Sequence, residues 1–406
     1  MTMYNKLDPC YSAHKAYGVK GNRQTVVLTN DPSKISAKEI LTVRFPDRSV
    51  NELIIPGTVR LSFNIELNGG TDNNRTVNNL GRVIVSKITI IMCLDNADIY
   101  MCYCDLWMTE KKRKNAAYYS IHVGDGRNTA EIRLGAADAV PAAEPDATIA
   151  ALFGNLFAIP LDFEILTDHG PFYQAGLRDR LTFELIFNKP SNVIISTDDA
   201  ATYKISGIAL EFDTVENPEL AQRKRQQLMN QTVFLYTQIV FHEMMLFDKS
   251  NTTWTINMHA KACSLKGILL LFEDPAVGAM GPDFGRNSEF YYNPLIMEVK
   301  ITVDGKLNQL YENGVLPYHH WDEIVKEFAR EEHKSIESPS TELSTYIRNR
   351  YALWLDRKLP GRQVMSSLSL QLTKLAQAAG RLNCDVYLPK DAQLNISEGR
   401  MMSVVY

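Results

Sequence analysis

The chain has 406 residues, 45% of them hydrophobic and 22% charged, enough apolar material for two or more cores of ordinary domain size. With 43 Lys and Arg against 47 Asp and Glu, the formal charge is −4, so no overall field recruits nucleic acid or an anionic membrane and any such contact is local. No run approaches the roughly 18 apolar residues of a membrane helix, the opening residues lack the charged-then-apolar order of a signal peptide, and six cysteines spread over this length make no disulfide framework.

The first segment, Met1 to about Lys20, carries no strand pattern and reads as an arm. In "VRLSFNIEL" Val59, Leu61, Phe63, Ile65 and Leu67 alternate with Arg60, Ser62, Asn64 and Glu66, which predicts a strand with one wet face. "IYMCYCDLW" follows, where a strand would put Cys102 and Cys104 on one face. No second pair stands at zinc spacing, so these read as structural thiols. Lys111, Lys112, Arg113 and Lys114 form the one dense basic run, a nuclear-import or nucleic-acid patch in form, but without interleaved aromatics it reads as a solvated surface. "LGAADAVPAAEPDATIAALFGN" is Ala/Pro-rich and reads as a surface excursion.

In "PLDFEILTDHG" the carboxylates of Asp162 and Glu164, with Asp168 and His169 beyond, invite an acid–base reading. Alternation turns Asp162 and Glu164 outward, opposite Leu161, Phe163 and Ile165, so solvated strand residues explain them better. "RLTFELIF" places Leu181, Phe183, Leu185 and Phe187 on one side. In "YKISGIALEF" the apolar face switches at Gly207, which predicts a bulge there.

Near mid-chain, "ENPELAQRKRQQLMNQ" predicts a helix capped by Asn217, with Pro218 in its first turn and Glu219 behind it. Trp254, Ile256 and Met258 then alternate; "EDPAVGAMGPDFGRNSEFYYNP" is a second Gly/Pro-rich excursion; Val299, Ile301 and Val303 alternate up to an Asp304-Gly305 turn. "HHWDEIVKEFAREEH" and "STELSTYIRNRYALWL" predict a second helical region, the latter opened by Ser340 or Thr341 and closed before Pro360. His319, His320, Asp322 and Glu323 are the densest set of candidate metal ligands. Adjacent histidines diverge by about 100° on a helix, however, whereas zinc pairs sit at i,i+4, so a solvated helix start is the better reading. Leu368, Leu370 and Leu372 alternate, as do Cys384, Val386 and Leu388. The chain ends on strand, Glu398-Gly399 turn, strand.

Strands in both halves with long connections predict antiparallel sandwiches. Echoes between the halves suggest a duplication: "KITI" at Lys87 with "KITV" at Lys300, Trp107 with Trp321 at nearly the same offset, and "DAATYKIS" with "KDAQLNIS". No nucleophile-elbow, phosphate-loop, dinucleotide or paired CxxC motif is present, so catalytic, cofactor-binding and metal residues are all expected to be none. Sequons at Asn74, Asn230, Asn251 and Asn395 read as idle without an export signal.

Several segments together resemble the double jelly-roll major capsid (hexon) proteins of nucleocytoplasmic large DNA viruses and of polinton-like or adintovirus-type elements. They are "FAIPLDFEILTDHGPFYQAGLRDRLTFELIFN", "NPELAQRKRQQLMNQ", "SLKGILLLFED", "VKGNRQTVVLTND" and the closing strand pair with its Asn395 to Gly399 turn, in an order that spans Val19 to Tyr406. The resemblance implies an all-β chain: an arm at 1–20, a first eight-stranded jelly roll at 21–215, a linker helix at 216–231 and a second jelly roll at 232–406, one of whose sheets the last strand closes.

The same resemblance implies homotrimers that pose as hexagonal tiles, pave an icosahedral shell and bury an interface on the order of 2,000 Å² or more. The expected partners are copies of this chain, a different penton protein at the fivefold corners and minor capsid proteins. An internal membrane beneath the shell is compatible with it, and no specific nucleic-acid binding is expected. The expected location is the virion, after synthesis in the host cytoplasm, with assembly in the cytoplasm or nucleus. The two excursions are candidates for the outer crown or the trimer seam; they are short for the family, which argues against tall towers. The rival readings are a lectin-like β-sandwich binding protein, a single-jelly-roll minor capsid protein and an enzyme built on a β-sandwich.

Overall fold

In a computed structural model the described residues are 23–27, 35–36, 40–47, 49–68, 75–76, 80–90, 94–96, 100, 103–104, 107, 156–161, 166, 170–178, 181–195, 202–258, 264–275, 291–307, 314–329, 341–356 and 367–405. They fall into two compact units. The first draws on Met1–Asp95, Ala117–Thr237 and Ala392–Val405, the second on Asn96–Ala116 and Gln238–Asp391.

The first unit contains β1 (Arg23–Val27), β2 (Ile35–Ser36), β3 (Ile40–Arg44), β4 (Glu52–Ile54), β5 (Arg60–Asn68), β6 (Arg75–Thr76), α1 (Leu80–Val83), β7 (Val85–Ile90), β8 (Leu94–Asn96), β9 (Leu156–Pro160), β10 (Thr182–Phe187), α2 (Pro190–Val193), β11 (Ile194–Ile195) and β12 (Thr202–Glu216). One sheet runs β1-β12-β5-β9, with β2 and β4 also on β12, and a second runs β3-β10-β7-β8. Phe45 joins their inner faces, its ring centroid 5.5 Å from both Phe183 of β10 and Phe212 of β12. The alternation in the sequence is what builds this core, since Leu61, Phe63 and Ile65 of β5 and Phe183, Leu185 and Phe187 of β10 are all buried. The other face of β5, expected to be wet, is largely covered: Arg60 pairs with Glu211 at 2.5 Å, and the buried Ser62 hydroxyl donates to the same carboxylate at 3.0 Å. The expected bulge is present: Gly207 has φ +61 and the β12–β5 register shifts between Ser206 and Ala209.

After α3 (Pro218–Met229) and β13 (Thr232–Asp248), the second unit contains β14 (Thr253–Met258), β15 (Gly267–Glu273), β16 (Ile296–Val303), β17 (Lys306–Leu307), α4 (Pro317–Ile324) with a π-helical turn to Ala329, α5 (Leu343–Asn349), β18 (Ala352–Asp356) and β19 (Leu368–Lys374). β20 (Arg381–Ser397) and β21 (Arg400–Val405) close the chain. One sheet runs β13-β20-β15-β18, with β21 on β20, and the other β14-β19-β16-β17. Counting the eight principal strands of each unit in chain order, both units show the sheets 1-8-3-6 and 2-7-4-5. Two sandwiches with one wiring are the structural form of the repeat read in the sequence. "KITI" and "KITV" lie in the fourth strand of each, and the "KIS" and "NIS" echoes in the eighth.

Three expectations are corrected. Ala352–Asp356, read as helix, is strand β18, paired with β15 and buried on both faces at Ala352 through Leu355. A run covered on both sides loses its period of two, and only the partner strand tells it from a buried helix. The helix before it begins at Leu343, behind Glu342, and Thr341 instead accepts a 2.8 Å hydrogen bond from Arg350. Tyr103 and Cys104 are helical, not extended.

The last strand pairs with β20 as read, but Ala392, Leu394, Ile396 and Met401 lie in the first core rather than the second. In the opposite sense Tyr100, Tyr103 and Trp107 belong to the second core. Trp107 and Trp321 both follow the fifth strand of their halves, yet they meet in the second unit with ring centroids 5.7 Å apart.

Candidate assembly surfaces

Among the described residues, the polar side chains singled out in the sequence do not converge on a reaction centre. His320 is 2% exposed, its Nδ1 lies 2.9 Å from the Tyr351 hydroxyl, and burial pushes its pKa down to about 4. His319 turns back, its Nδ1 accepting from the Leu316 N–H at 3.2 Å, while Glu323 pairs with Lys326 at 3.0 Å and Asp322 faces solvent. Among the described residues no three His, Cys, Asp or Glu side chains are placed to share a metal ion. Cys102, Lys111 to Lys114, Asp162, Glu164, Asp168, His169, the arm at 1–20 and most of both excursions lie outside the described residues. None of the described helices is long and apolar enough to cross a membrane.

A cleft of about 500 Å³ opens in the first unit beside the last turns of α3, with Pro171, Phe172, Leu228 and Phe234 as an apolar lining and Lys224 and Gln227 on its polar side. It places no nucleophile against a base.

The polar geometry that does converge is structural. Lys374 stands in phase with the buried Leu368, Leu370 and Leu372 of β19 and is itself 3% exposed. Its ammonium donates to the carbonyls of Lys249 at 2.6 Å, Leu375 at 2.7 Å and Asn251 at 3.2 Å, and sits 5.0 Å from the Trp254 ring centroid. One cation thereby gathers the turn between β13 and β14. Burial lowers its pKa, and Asp248 opposes that shift. Beside it, Lys249 is paired with the buried Asp274.

The β20–β21 turn is fixed just as firmly in the first unit. Glu398 and Gly399 both have positive φ, +52 and +73, as a two-residue hairpin turn that follows the strand twist requires. The last carbonyls of a helix lack intrahelical partners, and here the Gly399 N–H reaches the Leu228 carbonyl of α3 at 2.9 Å and the Glu398 N–H that of Met229 at 3.3 Å. The Arg178 N–H donates to the Gly399 carbonyl at 2.8 Å. At its other end α3 is capped as the sequence predicted, by Asn217 Oδ1 accepting from the Leu220 N–H at 3.0 Å.

The second unit covers one sheet internally. β15 and β18 are buried on both faces, one by the sandwich core and the other by an aromatic layer in which Phe328 touches Tyr103 and Trp354 at 5.5 Å and Tyr100 touches Tyr387 at 6.0 Å. Large apolar side chains are left bare elsewhere. Phe241, Met244 and Leu246 of β13 are 46–61% exposed, and Tyr318 of α4 with Leu343 and Ile347 of α5 are 47–64% exposed. The α5 pair stands at i,i+4 as one stripe, next to the buried Tyr346 on the helix surface. Where such side chains adjoin, they mark contact surfaces more often than isolated apolar residues do.

No family model and no curated protein matches the sequence. Solved structures do match over nearly its whole length. VP54 of PBCV-1, as fitted into a reconstruction of the virophage Sputnik, shares 12% identity, covers 95% of this chain and 97% of its own, and superposes with a TM-score of 0.60. The Faustovirus major capsid protein gives 8% identity, coverage of 93% and 90%, and a TM-score of 0.57. The mavirus major capsid protein gives 12%, 94% and 89%, and 0.53. With two sandwiches of identical wiring and superposition across nearly the full length of these chains, this protein has the double jelly-roll fold.

Proposed function

We propose that this protein is a viral major capsid protein, a shell component that works by binding copies of itself. The observation that carries the reading is the tandem of two jelly rolls with one strand order, which superposes end to end on capsid chains. A tandem of similar sandwiches makes geometric sense in such a role, because three copies of a two-sandwich chain present six similar edges and can tile as a hexagon. The bare apolar side chains of β13, α4 and α5 support it, since an obligate assembly has apolar surface to bury. The pseudo-hexameric homotrimer, the icosahedral lattice and a separate protein at the fivefold corners belong to this proposal, as does residence in the virion. Assembly accounts for the strand order shared by both halves without any catalytic step.

Light scattering on the size-fractionated full-length protein tests the reading. It predicts a mass of three chains, and a stable single-chain mass at micromolar concentration would overturn it.

A further inference from the structure

We infer that the C-terminal hairpin is a clasp: the β20–β21 turn locks the end of α3 and thereby completes the first unit, so the assembly-competent form depends on the last residues of the chain. The hairpin enters the first unit from the far end of the sequence, with Leu394, Ile396 and Met401 in a core otherwise built from residues before 237. Its turn supplies what α3 lacks. Asn230 N–H closes the final turn onto the Gln226 carbonyl, the Thr232 hydroxyl takes the Gln227 carbonyl, and the carbonyls of Leu228 and Met229 are taken by the N–H groups of Gly399 and Glu398.

The fit leaves no room. A Cβ at Gly399 would lie 2.5 Å from the Gly176 carbonyl oxygen, and one at Gly176 would lie 2.6 Å from the Tyr173 ring and 2.8 Å from Leu228. Gly399 lets the hairpin turn close on the Gly176 carbonyl, and Gly176 lets the 174–178 turn close on Tyr173 and on Leu228 of α3. The Arg178 N–H to Gly399 carbonyl bond ties the three segments together.

The test uses the full-length protein and two alanine variants. Gly57 has nearly the same backbone angle as Gly399, φ +70 against +73, but nothing lies within 4 Å of its Cβ position, so Gly57→Ala reports backbone strain alone and Gly399→Ala reports strain plus loss of the clasp. Hydrogen exchange resolved to single amides should show Arg178 and Gly399 exchanging at least tenfold faster in Gly399→Ala than in Gly57→Ala, with β15 and β18 of the second unit unchanged. Equal rates at those amides in the two variants would overturn the inference. If Gly399→Ala does not fold, native-state exchange of the wild type decides. Arg178, Glu398 and Gly399 opening together in one step supports the clasp, and residue-by-residue fraying of the hairpin while Arg178 stays protected refutes it. The assembly arm rests on the capsid reading: Gly399→Ala should lower the mass of the particle where Gly57→Ala does not. A wild type that is already monomeric would sink the capsid reading, while exchange would still decide the clasp.

Discussion

Replacing Lys374 by Met removes the ammonium and keeps a stem of similar length. Three backbone carbonyls lose their donor inside a turn where the lysine is 3% exposed. The two short bonds, 2.6 and 2.7 Å, are worth about 1.5 kcal/mol each as charge-assisted contacts, and the third, at 3.2 Å, less. Loss of the cation over Trp254 adds about 0.5–1 kcal/mol, partly offset by apolar packing of the methionine on the same ring. The total is about 4 kcal/mol, and at about 2–4 °C per kcal/mol for a unit of this size the melting temperature of the second unit falls by about 8–16 °C. Scanning calorimetry measures it, with the exposed Lys300→Met as control. A shift for Lys374→Met no larger than that of the control would refute the claim that this cation organises the β13–β14 turn.

The buried His320 and the half-buried Asp385 of the second unit make opposite pH predictions. Burial first, and the nearby Glu273 second, push Asp385 from 3.8 up to about 7, so the folded state holds a proton that the unfolded state has lost and stability falls as pH rises through that window, by up to about 4 kcal/mol. His320 is pushed down from 6.5 to about 4, so the unfolded state binds the proton first and stability falls as pH drops through that window, by about 3 kcal/mol. The two slopes largely cancel in the wild type. Melting temperature followed from pH 4 to 7 should therefore rise with pH in Asp385→Asn and fall with pH in His320→Asn, and parallel profiles would contradict the assignment. Changing Met244 and Leu246 together to Ser should leave the melting temperature within about 2 °C, because surface changes are usually near neutral, while lowering the mass seen by light scattering. An unchanged mass would remove this strand face from the assembly surface.

Much of the fold was legible because period-two alternation is a direct record of one buried face. β5, β10, β14 and β19 were read from it, as was the bulge at Gly207 from the switch of apolar face there, and the Glu398-Gly399 turn from its residue types. β18 was not legible, since its second face is covered by aromatics from elsewhere in the chain and the alternation vanishes. Neither was the exchange of segments between the units. Nothing local in Tyr100, Tyr103 and Trp107, or in Leu394 and Ile396, says which of two similar cores they fill. Lys374 did leave a signal. A lysine in phase with Leu368, Leu370 and Leu372 is a charge pointing inward, and such a charge requires partners. The apolar residues of β13 resisted reading for the opposite reason, because its exposure pattern changes phase near Glu243 and Met244 and neither face is purely wet.

A three-dimensional reconstruction by electron microscopy of the purified full-length protein tests the central claim most directly. The account predicts a threefold particle in which six β-sandwich densities surround the axis, two from each chain. A particle of one chain, or an assembly whose sandwiches do not come in sets of six, would contradict it.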